Sequence, residues 1–177
     1  MTTSATMRSD GATDAFVIRE LPPTEIEACR AFFDRLEPRD VRLRFASTRF
    51  SIRDFIPVLA GWPNGFALAA LDGESAIVGI ASLVPFDSGE AETALIVRSD
   101  RKRRGIGRAL LAAIIERATR VGVREIFGLV DWENKPMAAL ARAMGFQIIR
   151  HDSFCVETRR RLGGRTPGHR TAGAANI

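Results

Sequence analysis

The sequence predicts an α/β fold in which a central sheet is flanked by helices. Short apolar runs separated by turn residues, such as Asp72-Gly73, indicate hairpins in the first half of the chain. From Glu92 onward, apolar runs of strand length alternate with segments whose apolar residues recur at helical spacing. These two patterns together are typical of one mixed domain with no internal repeat.

Turn and cap residues set the boundaries of each element. Pro22-Pro23-Thr24 and Pro38 flank the first helix, and Gly122 and Gly145 stop the two later ones. The predicted strands cover residues 16–19, 66–71, 76–84, 92–97, 125–130, 146–150 and 153–157. The predicted helices cover residues 26–36, 39–45, 52–59, 105–121 and 134–144.

Composition describes an ordinary soluble protein. The 177 residues are 46% hydrophobic and 27% charged, which fits one domain with a sizeable core. The chain has no apolar run of about 18 residues, and residues 1–13 lack the apolar core of a secretory signal. Cys29 and Cys155 suggest neither a disulfide framework nor a metal cluster. We therefore expect a cytoplasmic protein with no membrane partner and no metal.

The excess positive charge lies at one end of the chain. Residues 158–177 contain five arginines and no acidic residue, whereas residues 1–157 contain equal numbers of basic and acidic residues. We expect a disordered tail at residues 1–14, a domain at residues 15–157 and a flexible Arg/Gly-rich tail at residues 158–177. A nucleic-acid partner is not expected, because such a tail is usually only a solvated end.

A tight basic turn follows the predicted strand 92–97. Residues 102–107 read K-R-R-G-I-G and lead directly into a helix. The first N–H groups of a helix have no intrahelical partner, and the helix dipole favours an anion there. Glycines at 105 and 107 allow close approach of the backbone. The turn therefore predicts a phosphate site, although it matches neither the P-loop nor the dinucleotide fingerprint.

This turn resembles the pyrophosphate loop of the GNAT acetyltransferases, [QR]-x-x-G-x-[GA], with Lys102 where Gln or Arg is usual. Asn134 and the pair Gly145-Phe146 agree with the same family. The resemblance covers residues 15–157. It implies the GNAT fold, which has a mixed, mostly antiparallel sheet of about seven strands and a CoA cleft between strands 4 and 5. It also implies acetyl-CoA as co-substrate.

Two segments resemble bacterial protein lysine acetyltransferases that act on acyl-CoA synthetases. They are D-V-R-L-R-F at residues 40–45 and A-E-T-A at residues 91–94. The resemblance implies a protein lysine as acceptor, possibly on such a synthetase. A small amine (a polyamine, amino acid or drug) stays open as the alternative, as does a non-catalytic module that senses CoA or binds nucleic acid. The sequence does not decide between a monomer and a homodimer.

The resemblance assigns roles to individual residues. Glu92 is the expected general base that deprotonates the amine, although a strand-end carboxylate facing water has the same pattern. Leu95, Ile96 and Val97 are expected along the pantetheine arm of CoA. The expected pyrophosphate loop consists of Lys102, Arg103, Arg104, Gly105, Ile106, Gly107, Arg108 and Ala109.

The remaining candidates lie after the fifth strand. Asn134 is expected either to contact the pantetheine or to cap a helix. Ala141 stands where the family often has a tyrosine as general acid, and the chain contains no tyrosine. Cys155 and His151 are expected near the acceptor end in structural roles.

Overall fold

The structure is a computed structural model that describes residues 15–45, 65–150 and 152–163. Within these ranges, the strands are β1 Val17–Glu20, β2 Phe66–Leu71, β3 Ile77–Pro85, β4 Glu90–Val97, β5 Glu125–Asp131, β6 Gln147–Arg150 and β7 Cys155–Arg161. The helices are α1 Ile26–Phe33, α2 Pro38–Phe45, α3 Ile106–Arg120 and α4 Lys135–Ala143. No described helix is long and apolar enough to cross a membrane.

All seven strands form one sheet in the order β1-β2-β3-β4-β5-β7-β6. Every neighbouring pair is antiparallel except β4 and β5, which run parallel. This confirms the predicted mixed, mostly antiparallel sheet. The strands β2 and β3 are buried along almost their whole length because helices cover both faces at this point.

Each face of the sheet carries its own apolar core. The helix α1 packs on one face through Cys29 and Phe32. The helices α3 and α4 pack on the other face through a larger cluster. Its fully buried side chains include Leu110, Leu111 and Ile114 of α3, which recur at helical spacing. The strand β4 lies between the two cores and alternates its side chains between them.

The end of the sheet differs from the sequence prediction. The last strand was expected at residues 153–157 with a flexible tail from residue 158, but β7 continues to Arg161 and pairs with β5 as far as Glu125. The polar sequence T-R-R-R stays in the sheet because its side chains find partners. Arg159 binds Glu90 and Glu157, and Arg160 donates to the carbonyl oxygen of Met144. The predicted helix at residues 52–59 and both tails lie outside the described residues, apart from 158–163.

Candidate active site

The strands β4 and β5 separate after three residue pairs and form a fork. The parallel pairing joins Glu90 to Glu125, Ala91 to Ile126 and Glu92 to Phe127. Beyond this point β4 runs along β3 to Val97, and β5 runs along β7 to Asp131, with no further pairing between them. The backbone of both strands beyond the fork therefore borders an opening within the sheet.

Gly128 lies at the base of this fork. A Cβ built on Gly128 would come within 2.6 Å of the backbone oxygen of Thr93, which is shorter than real Cβ contacts. The strands can approach this closely only because residue 128 has no side chain. The Thr158 hydroxyl fixes the other side of Gly128 by donating to its carbonyl oxygen at 3.0 Å.

A cavity occupies the fork. The strands β4 and β5 line it from the sheet, α4 lines it on one face, and α2 lines it on the other. Its lining residues are Leu43, Arg44, Thr93, Ala94, Leu95, Leu111, Gly128, Leu129, Val130, Asn134, Met137, Ala141, Phe146 and Thr158. A mostly apolar cleft with a few polar groups is typical of a small-molecule or cofactor site.

Glu92 is not among the residues that line this cavity, but it directly precedes Thr93, which is. It is half-buried, and it is the last residue of β4 that pairs with β5. Ala91 belongs to the core under α3 and α4, so the side chain of Glu92 points to the opposite face, where α2 lies. The structure thus separates Glu92 from the core beneath α3 and places it beside α2.

The three residues after Ala94 have different surroundings. Leu95 lines the cavity, and Val97 packs towards the start of α3. Ile96 is buried in the core under α1 and is absent from the cavity lining, so its side chain does not face the opening. Only its backbone remains available for the predicted contact with a pantetheine arm.

The predicted phosphate loop has the expected conformation. Gly105 is the N-cap of α3 at φ 80°, and Arg103 also has a positive φ of 60°. The helix hydrogen bonds begin at the N–H of Ala109, which donates to the carbonyl oxygen of Gly105. The N–H groups of residues 106–108 precede this bond, so no carbonyl oxygen within the helix accepts from them. Arg103, Arg104 and Arg108 are exposed around it.

Lys102 contacts α2, and its predicted contact with a phosphate stays a prediction. Its ammonium group forms an ion pair with the buried Asp40 of α2. The same carboxylate accepts a hydrogen bond of 2.6 Å from the Ser99 hydroxyl. Lys102 therefore links the phosphate loop to α2 in this structure.

The helix α2 spans the fork from one strand to the other. Asp40 attaches it to the end of β4 through Ser99. Arg42 attaches it to the end of β5, because its guanidinium lies 3.5 Å from Asp131 and 2.7 Å from Glu133. The hydrogen bond from Arg42 also holds the pKa of Glu133 below its usual value.

Arg44 is a site residue that the sequence prediction missed. It lines the cavity from α2, and its Nε atom is inaccessible to solvent. Burial lowers the pKa of its guanidinium to about 10, while the negative charge of Glu92 acts to raise it. The segment D-V-R-L-R-F was recognised as a family resemblance, but nothing in it distinguishes Arg44 from the solvent-exposed Arg39.

The helix-cap interpretation of Asn134 is confirmed, whereas its contact with a pantetheine arm stays a prediction. Its side-chain oxygen caps α4 by accepting a hydrogen bond of 3.2 Å from the N–H of Met137, and the residue also lines the cavity. Ala141 is fully buried and lines the same cavity, so no hydroxyl is supplied from that position.

Cys155 is not among the residues that line the cavity. Cys155 is half-buried beside Asp152, and burial together with that carboxylate raises the pKa of its thiol, which disfavours a reactive thiolate. His151 lies outside the described residues. Those that are described contain no group of three or more His, Cys, Asp or Glu side chains that could hold a metal ion.

Known acetyltransferases resemble this chain in sequence. The model of the acetyltransferase (GNAT) family matches residues 28–146. An acetyltransferase of Pseudomonas aeruginosa is 29% identical over 140 residues, which cover 73% of this chain and 74% of that protein. An L-methionine sulfoximine/L-methionine sulfone acetyltransferase of the same species is 34% identical over 86 residues, which cover 46% of this chain and only 50% of that protein.

Solved structures share the fold. The GNAT domain of S. lividans PAT superposes with a TM-score of 0.78 at 22% identity and covers 91% of this chain and 97% of that chain. A phosphinothricin acetyltransferase from Sinorhizobium meliloti, solved in complex with AcCoA, has a TM-score of 0.69 at 19% identity and covers 86% and 94%. At these identities the likeness shows the fold alone.

Proposed function

The chain belongs to the acetyltransferase (GNAT) family, and we propose that it transfers an acetyl group directly from acetyl-CoA to a primary amine with Glu92 as general base. The observation that carries this proposal is the position of Glu92. Its carboxylate lies at the point where β4 and β5 separate, on the face of the sheet that carries α2. A base in this position is adjacent to the cavity and open to an acceptor from the α2 side.

The phosphate loop and the cavity supply the CoA site in this proposal. The N–H groups of residues 106–108 bind the pyrophosphate, and exposed Arg103, Arg104 and Arg108 add positive charge. The pantetheine arm then follows the unpaired backbone of residues 95–97 into the fork, with Asn134 beside it. This path ends next to Thr93 and Glu92, where the thioester carbonyl would lie.

The chemical step follows from these positions. Glu92 accepts a proton from the ammonium group of the acceptor, and the neutral nitrogen attacks the thioester carbonyl carbon. The tetrahedral intermediate collapses, the C–S bond breaks and the C–N amide bond remains. CoA leaves as a thiolate and takes up the second proton lost by the nitrogen. No tyrosine takes part, because Ala141 occupies the position that would supply one.

Two acceptor classes are compatible with this step. The resemblance of residues 40–45 and 91–94 supports a protein lysine, such as one on an acyl-CoA synthetase. The relative named for L-methionine sulfoximine supports a small amino acid.

Acetyl transfer from radiolabelled acetyl-CoA tests the proposed base. We expect Glu92→Gln to lower kcat by about 10²-fold to 10⁴-fold because a positioned base is lost. The affinity for CoA, measured by calorimetry, should not change. Acceptors in the assay are L-methionine sulfone and a lysine-containing peptide of a purified acyl-CoA synthetase.

Glu90→Gln is the matched control, because it removes a carboxylate from the same strand and the same face, at the paired end. Its kcat should stay within a few-fold of the wild-type value. Equal rates for Glu92→Gln and the wild type would exclude Glu92 as the base. Tight CoA binding without transfer to any amine would favour the non-catalytic module instead.

A further inference from the structure

We propose that the protein has a second ligand site, separate from the fork, which binds a small monocarboxylate with an aromatic or apolar body. A second cavity, of about 490 Å³, has the size of a small-molecule site. Lys135, Ala138 and Arg142 of α4 line it on one side, and Ile148 and Val156 of the sheet line it on the other. None of its lining residues lines the cavity in the fork or takes part in the proposed acetyl transfer.

The helix α4 forms a wall of both cavities. Met137 and Ala141 line the fork, whereas Lys135, Ala138 and Arg142 line the second cavity. The last three positions are three and four residues apart, so they lie along one side of the helix. A ligand on that side is therefore separated from the proposed path of CoA by the helix itself.

Hydrogen bonds hold one end of the second cavity in shape. The N–H of Trp132 donates to the carbonyl oxygen of Phe154 at 2.9 Å, which joins the turn after β5 to the turn before β7. The carboxylate of Asp152 accepts from the N–H of Phe154 at 2.6 Å and from that of Cys155 at 2.8 Å. This end is therefore formed before any ligand binds, which lowers the entropic cost of binding.

The two cations of the second cavity lie at opposite ends of α4. Lys135 and Arg142 are seven residues apart, which separates their Cα atoms by about 10 Å along the helix axis. The Lys135 ammonium lies 4.5 Å from the centroid of the Trp132 ring, so this charge already has an aromatic partner. Arg142 is exposed, and its planar guanidinium can bind a carboxylate through two parallel hydrogen bonds. The carboxylate of the ligand therefore belongs at Arg142.

Apolar groups suit the rest of the ligand. Ala138 lies between the two cations in α4, and its methyl group is too short to fill the cavity opposite Ile148 and Val156. Trp132 lines the end away from Arg142, with about half of its surface exposed. A ring or an apolar chain that covers this indole removes apolar surface from water on both partners.

The charges that line the second cavity favour one negative group on the ligand. Lys135 and Arg142 are positive and Asp152 is negative, so the lining side chains carry a net charge of +1. One carboxylate balances this charge, whereas a dianion would leave an excess negative charge near Asp152. A monocarboxylate is therefore the matching class of ligand.

Titrations with 4-phenylbutyrate and its uncharged amide, followed by NMR, test this site. The acid carries a ring and a carboxylate at opposite ends of a short chain, so it can reach from Trp132 to Arg142. We expect saturable binding of the acid, with an affinity about 10-fold above that of the amide, as a charge-assisted pair of hydrogen bonds supplies. Arg142→Gln should make the two affinities equal. Trp132→Ala should weaken both by about 5-fold and keep their ratio.

Arg39→Gln is the matched control, because it removes an exposed arginine from α2, which does not line the second cavity. It should keep the wild-type ratio of acid to amide, and a loss of folded protein in any variant does not change such a ratio. An unchanged ratio in Arg142→Gln, or equal affinities in the wild type, would exclude Arg142 as the carboxylate partner.

The same titrations on protein saturated with CoA show which cavity the acid occupies. We expect an unchanged affinity, because the two cavities share no lining residue. Displacement of the acid by CoA would overturn the second site, since the acid would then lie in the fork. Binding that does not saturate would overturn it as well. The affinities are measured without acetyl transfer, so a failure of the proposed function would leave these outcomes distinct.

Discussion

The two halves of β4 are held in opposite ways. At its closed end, residues 90–92 pair with β5 through the backbone, and Arg159 adds ion pairs to Glu90 at 2.6 Å and to Glu125 at 3.5 Å. At its open end, residues 93–97 have no partner on β5, and the connection is made by side chains of α2. One strand thus belongs to a continuous sheet at one end and to a cleft at the other.

This difference shows how two strands of the sheet can separate to form a cleft while the apolar cores on both faces stay intact. The closed end keeps the two halves of the sheet together, so the open end can leave backbone groups available to a ligand. The proposed base, Glu92, is the last residue of the closed end. It is therefore held by regular pairing on one side and adjoins the opening on the other, which combines rigidity with access.

The largest effect is expected from a substitution that pushes β4 and β5 apart at the base of the fork. Gly128→Ala places a Cβ against the backbone oxygen of Thr93, which cannot yield as a flexible side chain would. We expect a loss of unfolding free energy of about 1–3 kcal/mol from this overpacking, together with a higher KM for acetyl-CoA. Urea unfolding and steady-state kinetics measure the two effects.

Gly73→Ala is the matched control for that substitution. A Cβ on Gly73 would have no neighbour within 4 Å, and its backbone is not in the left-handed region. Its unfolding free energy should stay within about 0.5 kcal/mol of the wild-type value, as is usual for exposed positions. If Gly128→Ala were equally stable, the close approach of β4 and β5 would not be needed to form the fork.

A smaller effect should distinguish the two glycines of the phosphate loop. Gly105 has a φ of 80°, so Gly105→Ala should lower the unfolding free energy by about 1 kcal/mol even without ligand. Gly107 lies inside α3, where a Cβ would make only ordinary contacts at 3.6 Å. Gly107→Ala should therefore keep its stability and raise only the KM for acetyl-CoA. Destabilisation of both variants to the same extent would contradict these separate roles.

The sequence predicts the buried strands and helices of the apolar core better than it predicts the site. The strands β2 and β3 are near-continuous apolar runs, and α3 has apolar residues at helical spacing, so local patterns suffice to find them. The glycine loop was also predictable, because a turn with positive φ needs glycine at its end.

Features that depend on distant partners were missed. The sequence T-R-R-R at the end of β7 has the composition of a tail, and its place in the sheet depends on distant partners such as Glu90 and Glu125, which form ion pairs with Arg159. Likewise, local sequence cannot show that α2 crosses the fork, since Asp40 and Arg42 reach residues about 60 and 90 positions away. The place of Arg44 in the cavity lining follows from that crossing.

Hydrogen exchange with and without CoA tests the central claim, that CoA occupies the open end of β4. With CoA binding verified by calorimetry, we expect slower amide exchange in residues 93–97 and 104–109 and little change in β2 and β3. That result would place the cofactor in the fork and on the helix terminus. Unchanged exchange in both segments while CoA is bound would contradict the account, because the ligand would then lie elsewhere on the molecule.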